Sequence, residues 1–280
     1  MSENISSRVG RLSITVLVDN VSHREDLRSE AAFSAWLETE RGVLLFDVAE
    51  TAEAVIDNAR ALNIDLAAAN AIAISHGHHD HTGGLAGVLA AAPNATLYVH
   101  PATSAPKWHG RRRRNIGMSE ENVASLAGRE VIHVEKPMTT PQGLILSGSI
   151  PGPESPAERG FDAEVDGERG PDRFVDEMFV LADTATGVVL ITGCCHRGLV
   201  NTLNHAKTIS GGKPIATVLG GLHMARLTDA EMDATIAALQ SAGTETLIAG
   251  HCTGDNAVAY LVEHASFRVE TFHAGFTRTW

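Results

Sequence analysis

Between positions 76 and 81 this chain sets four histidines and one aspartate, in the run Ser75-His76-Gly77-His78-His79-Asp80-His81-Thr82-Gly83-Gly84-Leu85. The residues just before it, Ala71-Ile72-Ala73-Ile74, read as a buried strand, and Gly83-Gly84 leads into a helix-like segment. Imidazoles and a carboxylate at a buried strand end are costly to pack as core but suit a metal centre. His76 and His78, at i and i+2 of an extended segment, leave the same side and can share one ion. Asp80 and His81 follow where the chain turns and can address a second. The glycines permit a close backbone approach that a side chain would forbid. A polar surface turn rich in histidine is the competing reading. Four ligand types at this spacing favour the metal.

At 280 residues and 44% hydrophobic content the chain can bury a large core, so a single α/β domain over 1–280 is expected. No run of about eighteen apolar residues occurs, which argues against a membrane-spanning segment or a membrane partner. Met1-Ser2-Glu3-Asn4-Ile5 lacks the basic and apolar regions of a signal peptide. Three cysteines, two of them adjacent, make no disulfide framework, so a reducing cytoplasm is the simpler assignment. A net charge of −12 argues against nucleic acid as a partner. The run Arg111-Arg112-Arg113-Arg114 stands against that balance, and a solvated face is its ordinary reading. The sequence leaves oligomeric state open.

Periodicity places strands at 12–18, 32–38, 42–48, 96–100, 130–135 and 143–150, and helices at 51–63 and 85–92. The second and third strands form a hairpin around Glu40-Arg41-Gly42. Segment 101–127 has little periodicity beyond a short helix near Ser119, and is a candidate lid or insertion. Segment 151–171, rich in Pro, Gly and acidic residues, reads as a long irregular loop, of a kind that is often functional. Strands then follow at 178–182, 187–192, 215–219 and 246–249, with a last one at 267–272. Helices fall at 199–209 and 255–264, and another starts at a Thr228/Glu231 capping box and ends at Gly243. Two similar sets of mixed strands and helices suit a four-layer αββα sandwich.

Each of two metals needs about four neighbours, one of them water, so further ligands are required. His251 ends an apolar strand before a glycine turn and is the choice for the Asp80/His81 site; a capped strand end is the alternative. His223 follows an apolar strand and two glycines. It should reach the same edge of the sheet and is cast as a substrate contact or proton donor, with core packing the competing view. His79 falls between ligands and points away, orienting a neighbour at most. No role is assigned to His23, His100, His109, His133, His205, His264 or His273.

The His-x-His-x-Asp-His stretch resembles the defining motif of the metallo-β-lactamase fold superfamily. Val18-Asp19-Asn20, Leu45-Phe46-Asp47, Gly193-Cys194-Cys195-His196-Arg197-Gly198, Gly220-Gly221-Leu222-His223 and Gly250-His251-Cys252-Thr253-Gly254 extend the likeness over nearly the whole chain. Together they look like the branch that includes dihydropterin ribofuranosyl-aminobenzene 5′-phosphate synthases and many metal-dependent hydrolases. The resemblance implies the αββα fold. It also implies that Asp47 supports a ligand histidine through hydrogen bonding, although Val48-Ala49 stand where relatives often have Thr-Gly. Many relatives take a ligand from a mid-chain Gly-His-Thr-Pro-Gly segment, and Ser147-Gly148-Ser149-Ile150-Pro151-Gly152 here has no histidine. Many also carry a bridging aspartate where Cys194 stands. His196 is therefore the choice for the missing imidazole. Cys194 lies near the metals either as a thiolate or, with Cys195, as small apolar packing. The branch often shows an arginine just ahead of an Ile-Gly pair, so Arg114 is a candidate phosphate grip.

These features imply two divalent ions, zinc first, with iron or manganese as alternatives. The leading expectation is a metal-dependent hydrolase of an ester, lactone or phosphoester bond in a small, anionic or phosphorylated substrate, with Asp80 holding the attacking water. A transferase joining a dihydropterin-methyl diphosphate to an aminobenzene ribofuranosyl 5′-phosphate, with release of diphosphate, is the second. A metal-containing binding or signalling protein is the third, since a fold does not fix a function.

Overall fold

A computed structural model of the chain describes residues 8–110, 114–155, 160–165 and 167–280. The Met1–Ile5 stretch, Arg111, Arg112 and Arg113 lie outside the described residues, as do positions 156–159 and 166 within the segment expected to be an irregular loop.

The first half runs β1 (Leu12–Val18), β2 (Ser34–Thr39), β3 (Gly42–Phe46), α1 (Ala52–Ala61), β4 (Ala71–Ala73), α2 (His79–Thr82), α3 (Leu85–Ala91), β5 (Thr96–Val99), β6 (Lys107–His109), β7 (Arg114–Asn115), α4 (Glu120–Ala124) and β8 (Val131–His133). The second runs β9 (Met138–Thr139), β10 (Ile145–Leu146), β11 (Phe161–Val165), β12 (Glu168–Pro171), β13 (Val180–Thr184), β14 (Gly187–Thr192), α5 (Leu199–Ile209), β15 (Thr217–Gly221), α6 (Asp229–Ala242), β16 (Thr246–Gly250), α7 (Asp255–His264), β17 (Arg268–Thr271) and β18 (Thr277–Thr279). One sheet has the order β18-β1-β2-β3-β4-β5-β8 and the other β17-β16-β15-β14-β13-β10-β9.

Alternation makes these sheets two-faced. Leu12, Ile14 and Val16 of β1 pack with Val189, Ile191, Leu219 and Ile248 of the opposing sheet in the central layer. On the outer face of the first sheet Leu45 and Ile72 meet Val55, Leu85 and Val88 of its helices. On the other side Leu190 and Val218 meet Leu203, Ile236 and Leu261. Helix, sheet, sheet, helix is the four-layer order.

Two expectations need correction. The 151–171 segment is not wholly irregular: β11 and β12 pair within it, and β11 pairs back to β6, which joins β7, as a separate four-stranded sheet. The two candidate insertion segments therefore meet each other. The strand at 268–271 is not the last, because β18 returns to pair with β1. Trp280 N then donates to Leu12 O at 2.8 Å, closing the first sheet with the C-terminal strand.

The Thr228/Glu231 capping box is present, and Gly243 ends α6 in the left-handed conformation with φ 82°. Thr228→Ala should cost about 1 kcal/mol of stability, the usual worth of an N-cap, measured as a shift in urea midpoint with an unchanged slope.

A candidate metal centre

β3 and β4 run parallel, as do β14, β15 and β16. Their C-terminal ends therefore open on one rim, where ligands bind in α/β sheets. Asp47 follows β3, the histidine run follows β4, Cys194 and His196 follow β14, His223 follows β15 and His251 follows β16. Leaving a strand this abruptly strains the backbone. Asp47, Ala49, Cys195, His223 and His251 all hold positive φ, between 48° and 71°. Ala49 takes, at φ 56°, the geometry that a glycine would adopt freely, which explains how Val48-Ala49 can replace Thr-Gly.

Two groups of ligand atoms converge there. His76, His78 and His196 form one; Asp80, His81, Cys194 and His251 form the other; within each, the atoms lie within 4.8 Å of one another. Cys194 thus stands among the atoms able to ligate, not merely beside them.

The surroundings fix which nitrogen each ring presents. Asp47, fully buried, accepts from Ser75 N at 2.6 Å and Ser75 Oγ at 2.7 Å, and pairs with His81 Nδ1 at 2.7 Å. The carboxylate makes His81 Nδ1 the protonated nitrogen and leaves the Nε2 lone pair facing the centre. Ser75 Oγ, its proton given to Asp47, accepts from His76 Nδ1 at 2.9 Å, with the same result. Asn20 Nδ2 donates to His251 O, so Asn20 Oδ1 accepts from His251 Nδ1 at 3.0 Å. Asp19 Oδ1 receives His251 N at 2.9 Å. Three imidazoles therefore aim bare Nε2 atoms inward. His81 Nε2 lies 3.2 Å from His251 Nε2 and 3.1 Å from Cys194 Sγ. Facing lone pairs at that distance repel unless a proton or a cation stands between them. His76 Nε2 likewise stands 3.0 Å from His78 Nδ1, so the His78 ring turns Nδ1 to its neighbour. This donor set fits divalent metal ions.

Electrostatics agree with that fit. Burial keeps His76 and His78 well below the ordinary histidine range, in the neutral form a ligand needs. Burial also opposes protonation of His81, yet the Asp80 and Asp47 carboxylates push it up to about 9, so a proton fills the gap when no cation does. Asp80 is held well below the carboxylate range: burial opposes ionisation, and His81 beside it outweighs burial. Burial pushes the Cys194 thiol up, a cost that a bound cation would reverse.

Two close approaches fix glycines. A Cβ on Gly77 would stand 2.0 Å from Thr103 O, and one on Gly193 would stand 2.3 Å from Ser75 Oγ. Gly77 N donates to Asp176 Oδ2 at 2.7 Å, and the neighbouring Asp176 Oδ1 and Asp172 Oδ2 flank buried Lys107 Nζ at 3.0 and 2.9 Å. Glu177 accepts from His196 N at 2.5 Å and Arg197 N at 2.6 Å, which sets the His196 loop. Sequence reasoning missed Lys107, Asp172, Asp176 and Glu177. They act on backbone amides and on each other across the fold, and no local spacing marks them.

The mouth is a cavity of about 150 Å³ lined by His79, Asp80, His109, Phe161, His196 and His223, among others. His223 reaches this edge with its ring 4.4 Å from that of His196, so it belongs to the cavity and not the core. His109, left without a role by its sequence context, faces Phe161 at 4.3 Å because β6 and β11 pair there. Phe174 stacks on His196 at 4.5 Å and Phe161 on His78 at 5.5 Å, making the three-histidine group the drier of the two. Arg114, exposed, touches His79. Among the described residues no helix is long and apolar enough to cross a membrane.

Asp47→Ala should weaken metal binding about 10–100-fold, the usual effect of losing a carboxylate behind a ligand histidine. Chelator competition on the purified protein reads this directly, and an unchanged affinity would contradict the role given to Asp47.

A family model for the metallo-beta-lactamase superfamily matches residues 30–194. A 7,8-dihydropterin-6-methyl-4-(beta-D-ribofuranosyl)-aminobenzene-5'-phosphate synthase of Methanocaldococcus jannaschii is 28% identical, over 93% of this chain and 94% of its own. The crystal structure of a metal-dependent hydrolase of the beta-lactamase superfamily is 30% identical and superposes with a TM-score of 0.82, covering 95% of this chain and 98% of that one. The metallo-beta-lactamase fold protein YhfI from Bacillus subtilis, at 14% identity and a TM-score of 0.60 over 97% of this chain and 100% of its own, shares the fold.

Proposed function

This chain belongs to the metallo-β-lactamase superfamily, and on that footing we propose that it is a metal-dependent hydrolase of a small, anionic or phosphorylated ester, lactone or phosphoester. The observation that carries the reading is the convergence of bare Nε2 atoms from His76, His81 and His251 on one rim, each ring held in that tautomer by an oxygen behind it. His76, His78 and His196 would hold one ion and Asp80, His81, Cys194 and His251 the other. Three imidazoles suit zinc, iron or manganese, while the thiol of the second group favours zinc. Such ions supply Lewis acidity and an acidified water at neutral pH.

The protein's own residues do the rest. Asp80 keeps its charge in a mostly buried position, so it can accept a proton from water or orient it for attack. His223, on the cavity wall, would hand a proton to the departing oxygen. Phe161 and Phe174 keep bulk water from the three-histidine side, where charge interactions gain strength.

A second reading is a transferase of the dihydropterin-methyl diphosphate and aminobenzene ribofuranosyl phosphate type. It is favoured by full-length similarity to the synthase named above. There the same groups would stabilise leaving diphosphate. The two separate in one assay set. Hydrolysis releases acid, alcohol or phosphate from single substrates and is lost in His78→Ala. The transferase releases diphosphate only when both substrates are present. A protein that takes up metal and turns over neither set would overturn both readings.

A further inference from the structure

A guanidinium has only donors, so the contact of Arg114 with His79 has one possible sense. Arg114 Nη2 stands 3.2 Å from His79 Nε2, which must therefore accept. The proton of the His79 ring is then on Nδ1. That atom is buried with no full hydrogen-bond partner, and Asp80 Oδ1 lies 3.5 Å from it. The other oxygen, Asp80 Oδ2, stands 3.6 Å from both His81 Nε2 and His251 Nε2. The carboxylate is thus divided: one oxygen toward the His79 N–H, the other toward the ligand nitrogens. The arrangement is anchored by backbone, since His79 N donates to Ile116 O at 2.8 Å and Ile116 N donates to Lys107 O at 3.0 Å. Segment 114–117 is therefore tied directly to the histidine run.

We infer that Arg114 and His79 are positioning residues acting in series on Asp80. Arg114 fixes the His79 tautomer, and His79 holds Asp80 Oδ1 so that Oδ2 is presented to the ion. This rests on the proposal that Asp80 is a metal ligand, and it gives Arg114 a task before any substrate arrives. A phosphate grip, the other use of such a guanidinium, would act only on bound substrate.

The test uses the full chain loaded with zinc or cobalt(II) and needs no substrate. Arg114→Ala and His79→Ala are each expected to weaken the more loosely held ion by about 10–100-fold in chelator competition and to change the cobalt visible spectrum. The double variant should be no worse than either single one, because elements acting in series are non-additive. Ring nitrogen NMR of the zinc-loaded protein should show the Nδ1–H form of His79, lost in Arg114→Ala and restored in Arg114→Lys, whose ammonium still donates. Unchanged affinity and spectrum in Arg114→Ala, or losses that simply add in the double variant, would overturn the inference while leaving the metal centre standing. A wild-type protein that takes up no ion would overturn the metal reading and this inference with it.

Discussion

Replacing Lys107 with methionine is expected to destabilise the protein by about 3–5 kcal/mol, the penalty for stranding buried charge. Its side chain is 2% exposed and lies between Asp172 and Asp176, themselves 3% and 0% exposed. Removing the cation leaves two carboxylates in low dielectric with no counter-charge. The damage should also reach the centre, because Asp176 holds Gly77 N between His76 and His78. Urea denaturation at neutral pH measures the first effect and chelator competition the second. Adding Asp172→Asn and Asp176→Asn to Lys107→Met should recover part of the loss, since neutral groups bear burial better. A loss under ~1 kcal/mol, the range of exposed pairs, would contradict this account. Burial works against the Lys107 charge, but Asp176 and Asp172 outweigh it and raise its pKa above 10.5. A raised folded-state pKa contributes stability that is complete below the unfolded value and fades as pH climbs through the folded one. The contribution should therefore be flat from neutral pH to about 10, and fall only beyond it.

The second large effect concerns the proposed ligands. Wild-type protein should bind two divalent ions per chain, and His196→Ala and His251→Ala should each bind one. Either substitution should cut turnover by more than the ~10–100-fold that weaker, outer changes cost. Elemental analysis after gel filtration gives the count. Two ions retained in either variant would remove that histidine from the set. Asking which ion is lost also separates the groups, since only the His251 group includes a thiol and its cobalt form should carry a sulfur charge-transfer band.

Much of this is legible in the sequence itself. The histidine run announces itself because its ligand types are contiguous, and strand-end position alone singled out His223 and His251. Gly243 and the Thr228/Glu231 box delimit α6 by local chemistry. What escaped was non-local. β11 and β12 lie in a stretch of Pro, Gly and acidic residues, and β11 is a strand because its partner β6 is supplied from some fifty positions earlier. β18 is three residues long and is stabilised by β1 at the other end of the chain. Cys194 read equally well as packing or ligand, because a thiol's role depends on what stands opposite it. Here that is His81.

The ligand groups draw on both sheets, and this has a mechanical consequence. His81 meets Cys194 across 113 positions of sequence and His251 across 170. An ion held there is a cross-link that closes very long loops, so it restricts the unfolded chain much as a covalent staple would. Ions held there would clasp the halves of the sandwich at one rim, and stripping them should loosen that seam first. Amide exchange at the ends of β4, β14 and β16 should quicken on chelation, before the melting temperature of the whole molecule begins to fall.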